Sequence, residues 1–565
     1  MLETFPARNG DPTAAVEGIL IHSRYDPRKE AARFMAQRLG HSSPATLFLL
    51  GVGLGYLIEA ARQQVPNARI IAVSVLGATR EDLKAAADVH IATAGIEDVR
   101  RSISAALRPE DAAGLEVIEW EPVVRAAGDV AQAIRRATAA TVSRLNAAVA
   151  TTGYFGPRYV RNLLRTLLFA GARSHGAPRG APRGSPSGWI STDLPSPDPP
   201  RAVCIAAAGP SLEDAVPWIR AHRKALELWA LSSAAPALKH RGLLPDLIVH
   251  QDAGYYAAEH AAAFARGLEV LPPVLMPATA NLPPPPLRDR VVLISQSTPM
   301  ERDVFHALAV EPPGVPETGT VAATATTLAL GFRRGPVYLA GLDLAHRDLR
   351  SHVAPHAFEH YLREAENRFA PLYSQIAAHS FDTTERMEDR ARGLYRVSRS
   401  LSTYASWFRD LPAAHKRRVK RLCPSPVDLG LTAAEASEPG PVGGGGRGPV
   451  GGGGRGAGGA GRGAGAALQS TQPWRAERLT AVVGSWKEAV ERAASAVSRG
   501  RFVSTDDADI AFTVSASHWV AAVASSRRGD RENCAHHLDE LRAASDDLFG
   551  RLGTLLRRAR EAEDR

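Results

Sequence analysis

Three cysteines in 565 residues, Cys204, Cys423 and Cys534, with no C-x-x-C among them, exclude a disulfide framework and a zinc-ribbon spacing. No run of 18 or more apolar residues occurs, so no membrane-spanning helix is expected. The start, M-L-E-T-F-P-A-R-N-G-D, lacks a basic region followed by an apolar core, so no signal peptide and a cytoplasmic setting are expected. The pattern G-x-x-x-x-G-K-[ST] is absent, which excludes phosphoryl chemistry of the P-loop kind. Lysine is scarce, seven against 61 arginines, and the net charge of +9 is spread along the chain rather than gathered on one motif. A solvated surface fits that distribution, and no specific nucleic-acid partner is expected. The densest basic run, H-K-R-R-V-K-R at 415 to 421, reads as an exposed connection.

What is present is a set of strand-to-turn transitions. Residues 201 to 214 read R-A-V-C-I-A-A-A-G-P-S-L-E-D, an apolar run that breaks at Gly209-Pro210-Ser211 and resumes as an acidic helix start. A buried strand there delivers the turn to the carboxyl edge of a sheet, where open α/β folds bind ligands. Gly209 lets a backbone come close, Pro210 sets φ, and Ser211 with Asp214 reads as an S-x-x-D capping pair. The helix start is then aimed at an anion such as a nucleotide phosphate. Residues 228 to 256 predict a strand with Ser232 at its end, a short helix closing at Gly242, and a second strand ending at Asp252. Residues 317 to 349 predict a Gly319-Thr320 loop, a helix, and a strand ending in Gly341-Leu342-Asp343. In a parallel sheet Gly209, Asp252, Gly319 and Asp343 gather at one edge.

The chain is too long for one core. Residues 1–171 form a Rossmann-like domain with a helical connection, because T-L-F-L-L at 46 to 50 runs into G-V-G-L-G and A-R-I-I-A-V-S-V at 68 to 75 supplies a second strand. No acid ends that second strand, where a dinucleotide's ribose needs one, so the glycine turn is expected to be structural. Residues 172–200 are a Pro/Gly linker, 201–435 a central α/β nucleotide-binding transferase domain, and 436–472 a Gly/Arg-rich disordered linker. Residues 473–565 are a helical C-terminal region, with Leu538, Leu541, Leu548 and Leu552 at helical spacing.

The ordered series G-P-S-L, P-D-x-x-V-x-x-D, G-T-V-A and G-L-D-L-A resembles the motility accessory factor family of flagellin glycosyltransferases. The same domain family is also called 6-hydroxymethylpterin diphosphokinase MptE-like. The likeness spans about residues 150 to 435 and takes in F-G-P-R-Y-V-R-N at 155 to 162 and L-S-T-Y-A-S-W-F at 401 to 408. The G-P-S-L turn is also similar to the donor-binding turn of bacterial sialyltransferases. The resemblance implies transfer of a CMP-activated nonulosonic acid to Ser or Thr of flagellin, while Ser232 and Ala208 depart from the residue types common in those families.

Such a transfer needs a phosphate cradle and a base. Gly209, Pro210, Ser211, Ser232, Asp252, Gly319, Thr320 and Asp343 are the expected nucleotide-binding residues, and His352 and His346, just past Asp343, are the expected catalytic histidines. The alternative implied by the second family name is ATP-dependent pyrophosphoryl transfer, for which Mg²⁺ would sit on Asp252 and Asp343. A non-catalytic nucleotide-sugar or flagellin-binding protein is the third reading.

Overall fold

The computed structural model describes residues 2–77, 79–92, 96–173, 194, 200–356, 358–387, 394–425, 427–435 and 476–563. Of the two expected linkers, 436–472 lies outside the described residues, and so does 172–200 apart from its two ends and Leu194. The chain divides into two compact units, Met1–Pro157 with Val483–Arg551, and Arg158–Val482 with Leu552–Arg565.

The first unit opens with an antiparallel sheet of β1 (Leu2–Pro6), β2 (Pro12–Val16) and β3 (Ile19–Leu20). Its main sheet comprises β4 (Thr46–Leu50), β5 (Arg69–Ser74), β6 (Val89–Ala92) and β7 (Leu115–Glu119), parallel in the order β6-β5-β4-β7. All five residues of β4 are buried, as an uninterrupted apolar strand requires when both sheet faces are covered. The glycine turn after β4 has positive φ at Gly51, Gly53 and Gly55. Its concavity is filled by the protein itself. A Cβ on Gly53 would meet His22 Nε2 at 2.5 Å, and one on Gly51 would meet Val123 at 2.9 Å. His22 is buried and its Nε2 accepts from the Leu54 amide at 3.0 Å. Where a ribose-binding acid would stand, Ser74 Oγ lies 2.6 Å from His90 Nε2 and also contacts Thr79.

The C-terminal helices, anticipated as a region of their own, contribute Val483–Arg551 to this first unit. Leu538, Leu541 and Leu548 are buried, as their spacing predicts. One reason for the grouping is electrostatic. Asp111 is fully buried, and Arg527 from the helix Ala516–Arg528 reaches it at 2.7 Å, joining Arg69, Thr46 and the Arg108 amide. A buried carboxylate is tolerated only when such donors surround it.

The second unit is built on eight parallel strands: β8 (Ala202–Ala206), β9 (Leu226–Leu231), β10 (Leu247–Val249), β11 (Val274–Pro277), β12 (Val291–Ile294) and β13 (Val337–Ala340), joined after the small antiparallel sheet of β14 (His346–Arg347), β15 (Glu385–Met387) and β16 (Tyr395–Val397) by β17 (Val419–Arg421) and β18 (Thr432–Ala433). The order of the large sheet is β12-β11-β10-β9-β8-β13-β17-β18. Val203 and Ile205 of β8 enter the core on the face carrying the helix Val321–Phe332. Ala202, Cys204 and Ala206 enter the opposite core with the helix Leu212–His222. This period of two on a strand buried on both faces makes β8 the centre of the domain. Burial pushes the Cys204 thiol up to about 12, so it behaves as a small core hydrophobe. The chain leaves β8 in one direction through β9 to β12 and returns on its other side as β13. The topological switch point therefore lies between β8 and β13.

Replacing Arg527 with Ala leaves Asp111 with one guanidinium instead of two. The expected loss is about 1.5–3 kcal/mol, the worth of a hydrogen bond to a charged group. Urea unfolding followed by tryptophan fluorescence checks it.

Candidate functional site

The carboxyl edge of the large sheet collects the loops that follow each parallel strand, so the sequence elements singled out above do meet along one edge. Gly209 follows β8 and Gly341 follows β13, and the ladder continues past the strands: the Gly209 amide donates to the Gly341 carbonyl at 2.8 Å. Asp343 is 2% exposed, and its Oδ2 accepts from the Ser211 amide at 2.8 Å, with the Ser211 hydroxyl also bonded to it. A Cβ on Gly209 would overlap both that carboxylate oxygen and the Gly341 carbonyl.

This corrects the reading of the turn. The anion at the start of the helix Leu212–His222 is Asp343, so Gly209 makes room for a side chain of the protein rather than for a phosphate. The Ser211–Asp214 capping pair does not form either. The Ser211 side chain caps nothing in its own helix, and Asp214 pairs with Arg347. Burial raises the Asp343 carboxyl above its ordinary range while the Ser211 bonds oppose that rise.

The expected metal pair is not a pair. Asp252 follows β10 and Asp343 follows β13, with β9 and β8 between them, a lateral offset of about 14 Å at the usual strand spacing. One Mg²⁺ cannot bridge that. Among the described residues, no group of three or more His, Cys, Asp or Glu is arranged to hold a metal ion.

Asp252 is exposed, and its loop is fixed by its neighbours. Its Oδ1 accepts from the Gly254 amide at 3.0 Å, and its carbonyl accepts from the Asn281 amide at 3.0 Å. Asn162, on the helix Asp129–Arg173, donates to the Ala253 and Thr279 carbonyls at 3.3 and 3.1 Å and so ties the loops after β10 and β11 together. Burial, with added repulsion from Glu317 and Asp252, pushes the Tyr159 hydroxyl up to about 12. Tyr404, on the helix Arg399–Arg409, is raised first by burial and then by Asp252. Four separate segments thus bring Tyr159, Asp252, Glu317 and Tyr404 into one electrostatic neighbourhood at the sheet's carboxyl edge. Both tyrosines stay protonated at neutral pH and can donate, while the carboxylates can accept from hydroxyls.

Glu317 leads into Gly319-Thr320, which precede the helix Val321–Phe332. Gly319 has φ +76° and is exposed, and the cap Thr320 makes no side-chain bond to the helix amides. This helix start, expected among the nucleotide-binding residues, is thus not occupied by a side-chain cap from Thr320. Ser232, buried at the end of β9, donates its amide to the Val249 carbonyl at 3.0 Å.

The two expected catalytic histidines differ. His346 is buried in β14 with Nδ1 2.9 Å from Ser380 Oγ, a core histidine whose pKa burial lowers to about 4. His352 is half-buried, with Nδ1 2.8 Å from Ser351 Oγ, and stacks on His356 at 4.1 Å. His356 in turn meets His260 at 4.4 Å. Burial, then repulsion from His346 and His379, lowers His352 to about 4; burial, then His352 and His250, lowers His260 to about 3; and burial, then His352 and His260, lowers His356 further.

Residues 192–349 match the family model 6-hydroxymethylpterin diphosphokinase MptE-like. An uncharacterized protein of Treponema pallidum (strain Nichols) is 29% identical over 306 residues, 54% of this chain and 59% of that protein, so the chain spans about three-fifths of that relative's length. A second uncharacterized protein of the same organism is 39% identical over 69 residues, 12% of this chain and 24% of its own. A Maf glycosyltransferase from Magnetospirillum magneticum AMB-1 shares the fold, with TM-score 0.54 and 12% identity over 99% of this chain and 92% of that one. The MptE-like match ends before His352 and excludes Tyr159, Asn162 and Tyr404. These three residues were missed as site candidates, although they sit in the flanking segments F-G-P-R-Y-V-R-N and L-S-T-Y-A-S-W-F, quoted above as part of the resemblance.

Two outcomes follow. Gly209→Val forces the Asp343 carboxylate and the Gly341 backbone apart, and it is expected to cost about 1–3 kcal/mol of stability, as overpacking does, whatever it does to ligands; thermal unfolding of the purified variant checks this. The second unit is also expected to lose stability as pH falls from 6.5 towards 4. There the unfolded chain takes up protons that the folded His250, His260, His346, His352 and His356, all lowered by burial, refuse. Glu301, pushed up to about 7, and Asp343, also raised, titrate in the opposite sense, but they are two groups against five. A pH series of chemical-denaturation midpoints checks the sign.

Proposed function

We propose that the chain is a nucleotide-sugar glycosyltransferase of the motility accessory factor type, moving a CMP-activated nonulosonic acid to Ser or Thr hydroxyls of flagellin. The observation that carries the reading is the convergence of Tyr159, Asp252, Glu317 and Tyr404 beside the Gly319–Thr320 helix start, a hydroxyl-binding surface next to an anion-binding one. The fold shared over nearly the whole chain with a Maf glycosyltransferase supports it. Amides at the start of the helix Val321–Phe332 would hold the donor phosphate, and Asp252 and Glu317 would orient ribose or sugar hydroxyls.

In the transfer the acceptor oxygen bonds to the anomeric carbon while the bond from that carbon to the phosphate oxygen breaks. CMP leaves with that electron pair, and the acceptor proton passes to His352, whose Nδ1 faces Ser351 and whose Nε2 remains to take it. Burial, with added repulsion from His346 and His379, keeps His352 neutral in the free protein, and an incoming phosphate charge raises its basicity.

The ATP-dependent diphosphokinase reading is favoured by the MptE-like match itself. It would now place Mg²⁺ on Asp252 with Glu317 and substrate phosphates, because Asp343 is committed to Ser211. A purely nucleotide-sugar- or flagellin-binding protein is the remaining reading.

One assay with two donors separates them. CMP release from a CMP-nonulosonic acid, with matching mass gain on flagellin, is expected to survive chelator and to fall about 10²- to 10⁴-fold in His352→Ala. Pterin diphosphate and AMP formed from ATP, abolished by chelator, would establish the diphosphokinase instead, and turnover of neither donor would leave a binding protein.

A further inference from the structure

We propose that the second unit holds an anion-binding cleft apart from the sheet edge, between the helices Ala235–His240 and Tyr255–Ala265, built to take a phosphate or pyrophosphate group. The cleft encloses about 510 Å³, and Lys239, His240, Glu259, Arg266 and His356 are among the residues that line it. That volume is within the usual range for small-molecule sites.

The lining is basic, and its donors are in large part unspent. Lys239 Nζ donates to the Phe264 carbonyl at 2.8 Å and to the Arg266 carbonyl, which uses two of its three protons. Among the described residues, no hydrogen bond or ion pair engages the side chains of Arg266 or His240. Arg266 also repels the Lys239 ammonium, whose pKa lies below its ordinary value through burial and then through this neighbour. An anion between the two would relieve that repulsion. Glu259 is the opposing charge on the lining, and the Tyr361 hydroxyl hydrogen-bonds it.

His356 gives the independent indication of a ligand. It is 6% exposed, and the Phe358 amide approaches its Nδ1 at 3.5 Å, which makes Nδ1 the acceptor and leaves the proton on Nε2. Nε2 is buried and, among the described residues, has no hydrogen-bond partner. A buried donor without an acceptor is costly, and a phosphate oxygen in the cleft that His356 lines supplies one. The stack of His356 on His352 then connects the cleft with the proposed base. The cleft itself does not depend on the transferase reading, because none of its lining residues belongs to that site.

The test titrates the full chain with inorganic pyrophosphate at pH 7, by calorimetry and by following the imidazole nitrogens in ¹⁵N NMR, with CMP as a second arm. Pyrophosphate is expected to move the His356 Nε2 resonance. The exposed change Arg266→Gln should weaken that binding about tenfold or more, the loss of one charge-assisted contact, while leaving the melting temperature of the free protein in place. A parallel effect of CMP identifies a nucleotide-borne phosphate as a fitting occupant, and a response to pyrophosphate alone identifies free phosphate. Wild-type pyrophosphate affinity in both Arg266→Gln and His240→Asn, or a His356 resonance that stays still at saturation, overturns the proposal.

Discussion

The contact between the Asp343 carboxylate and the Ser211 amide is the constraint on which the second unit turns. It crosses the switch point, where β8 and β13 part into opposite halves of the sheet, and it satisfies the helix start that would otherwise open there. Everything around it is fitted to the carboxylate. Gly209 lacks the Cβ that would displace it, Gly341 takes φ +64° where a Cβ would strike the Ala207 carbonyl, and Ser425 Oγ donates to the Asp343 carbonyl at 2.5 Å. The loop that leaves this contact carries His346, His352 and His356, and Val353 returns its amide to the Ala208 carbonyl at 2.8 Å. The position of the proposed base is thus inherited from a structural bond.

The fold was largely legible because its signals are local. Val203, Cys204 and Ile205 read as a buried strand, Gly242 and Pro245 bracket the step from helix to β10, and the leucines at 538, 541 and 548 keep a helical period. The grouping of the C-terminal helices was not legible. One of the contacts behind it, Arg527 with Asp111, joins residues more than 400 apart in sequence, and neither residue type announces a partner so distant.

The site was legible as an edge and not as a set of residues. Strand ends at Asp252 and Asp343 were correctly assigned to one edge, but their distance apart along it depends on sheet order. The insertion of β9 and β8 between them is a topological fact that strand patterns do not carry. Tyr159 and Tyr404 were harder still, since a tyrosine on an amphipathic helix reads as packing until the fold places a carboxylate beside it.

The two glycine-rich turns show why such motifs are ambiguous in physical terms. A glycine allows something to approach the backbone closely, and the sequence does not say what. After β4 the visitor at Gly53 is the His22 ring, and after β8 the visitor at Gly209 is the Asp343 carboxylate. Both approaches are internal and both are buried, so each turn is complete without a ligand. The start of the helix Val321–Phe332 differs. Its glycine is exposed, beyond its chain neighbours no described atom lies within 4 Å of where a Cβ on it would stand, and the cap Thr320 makes no side-chain hydrogen bond to the helix amides. What marks a packing turn is therefore that the chain fills it with a group of its own, a neutral ring at Gly53 and a carboxylate at Gly209, and of these three turns the one at Gly319–Thr320 is left without such a group among the described residues.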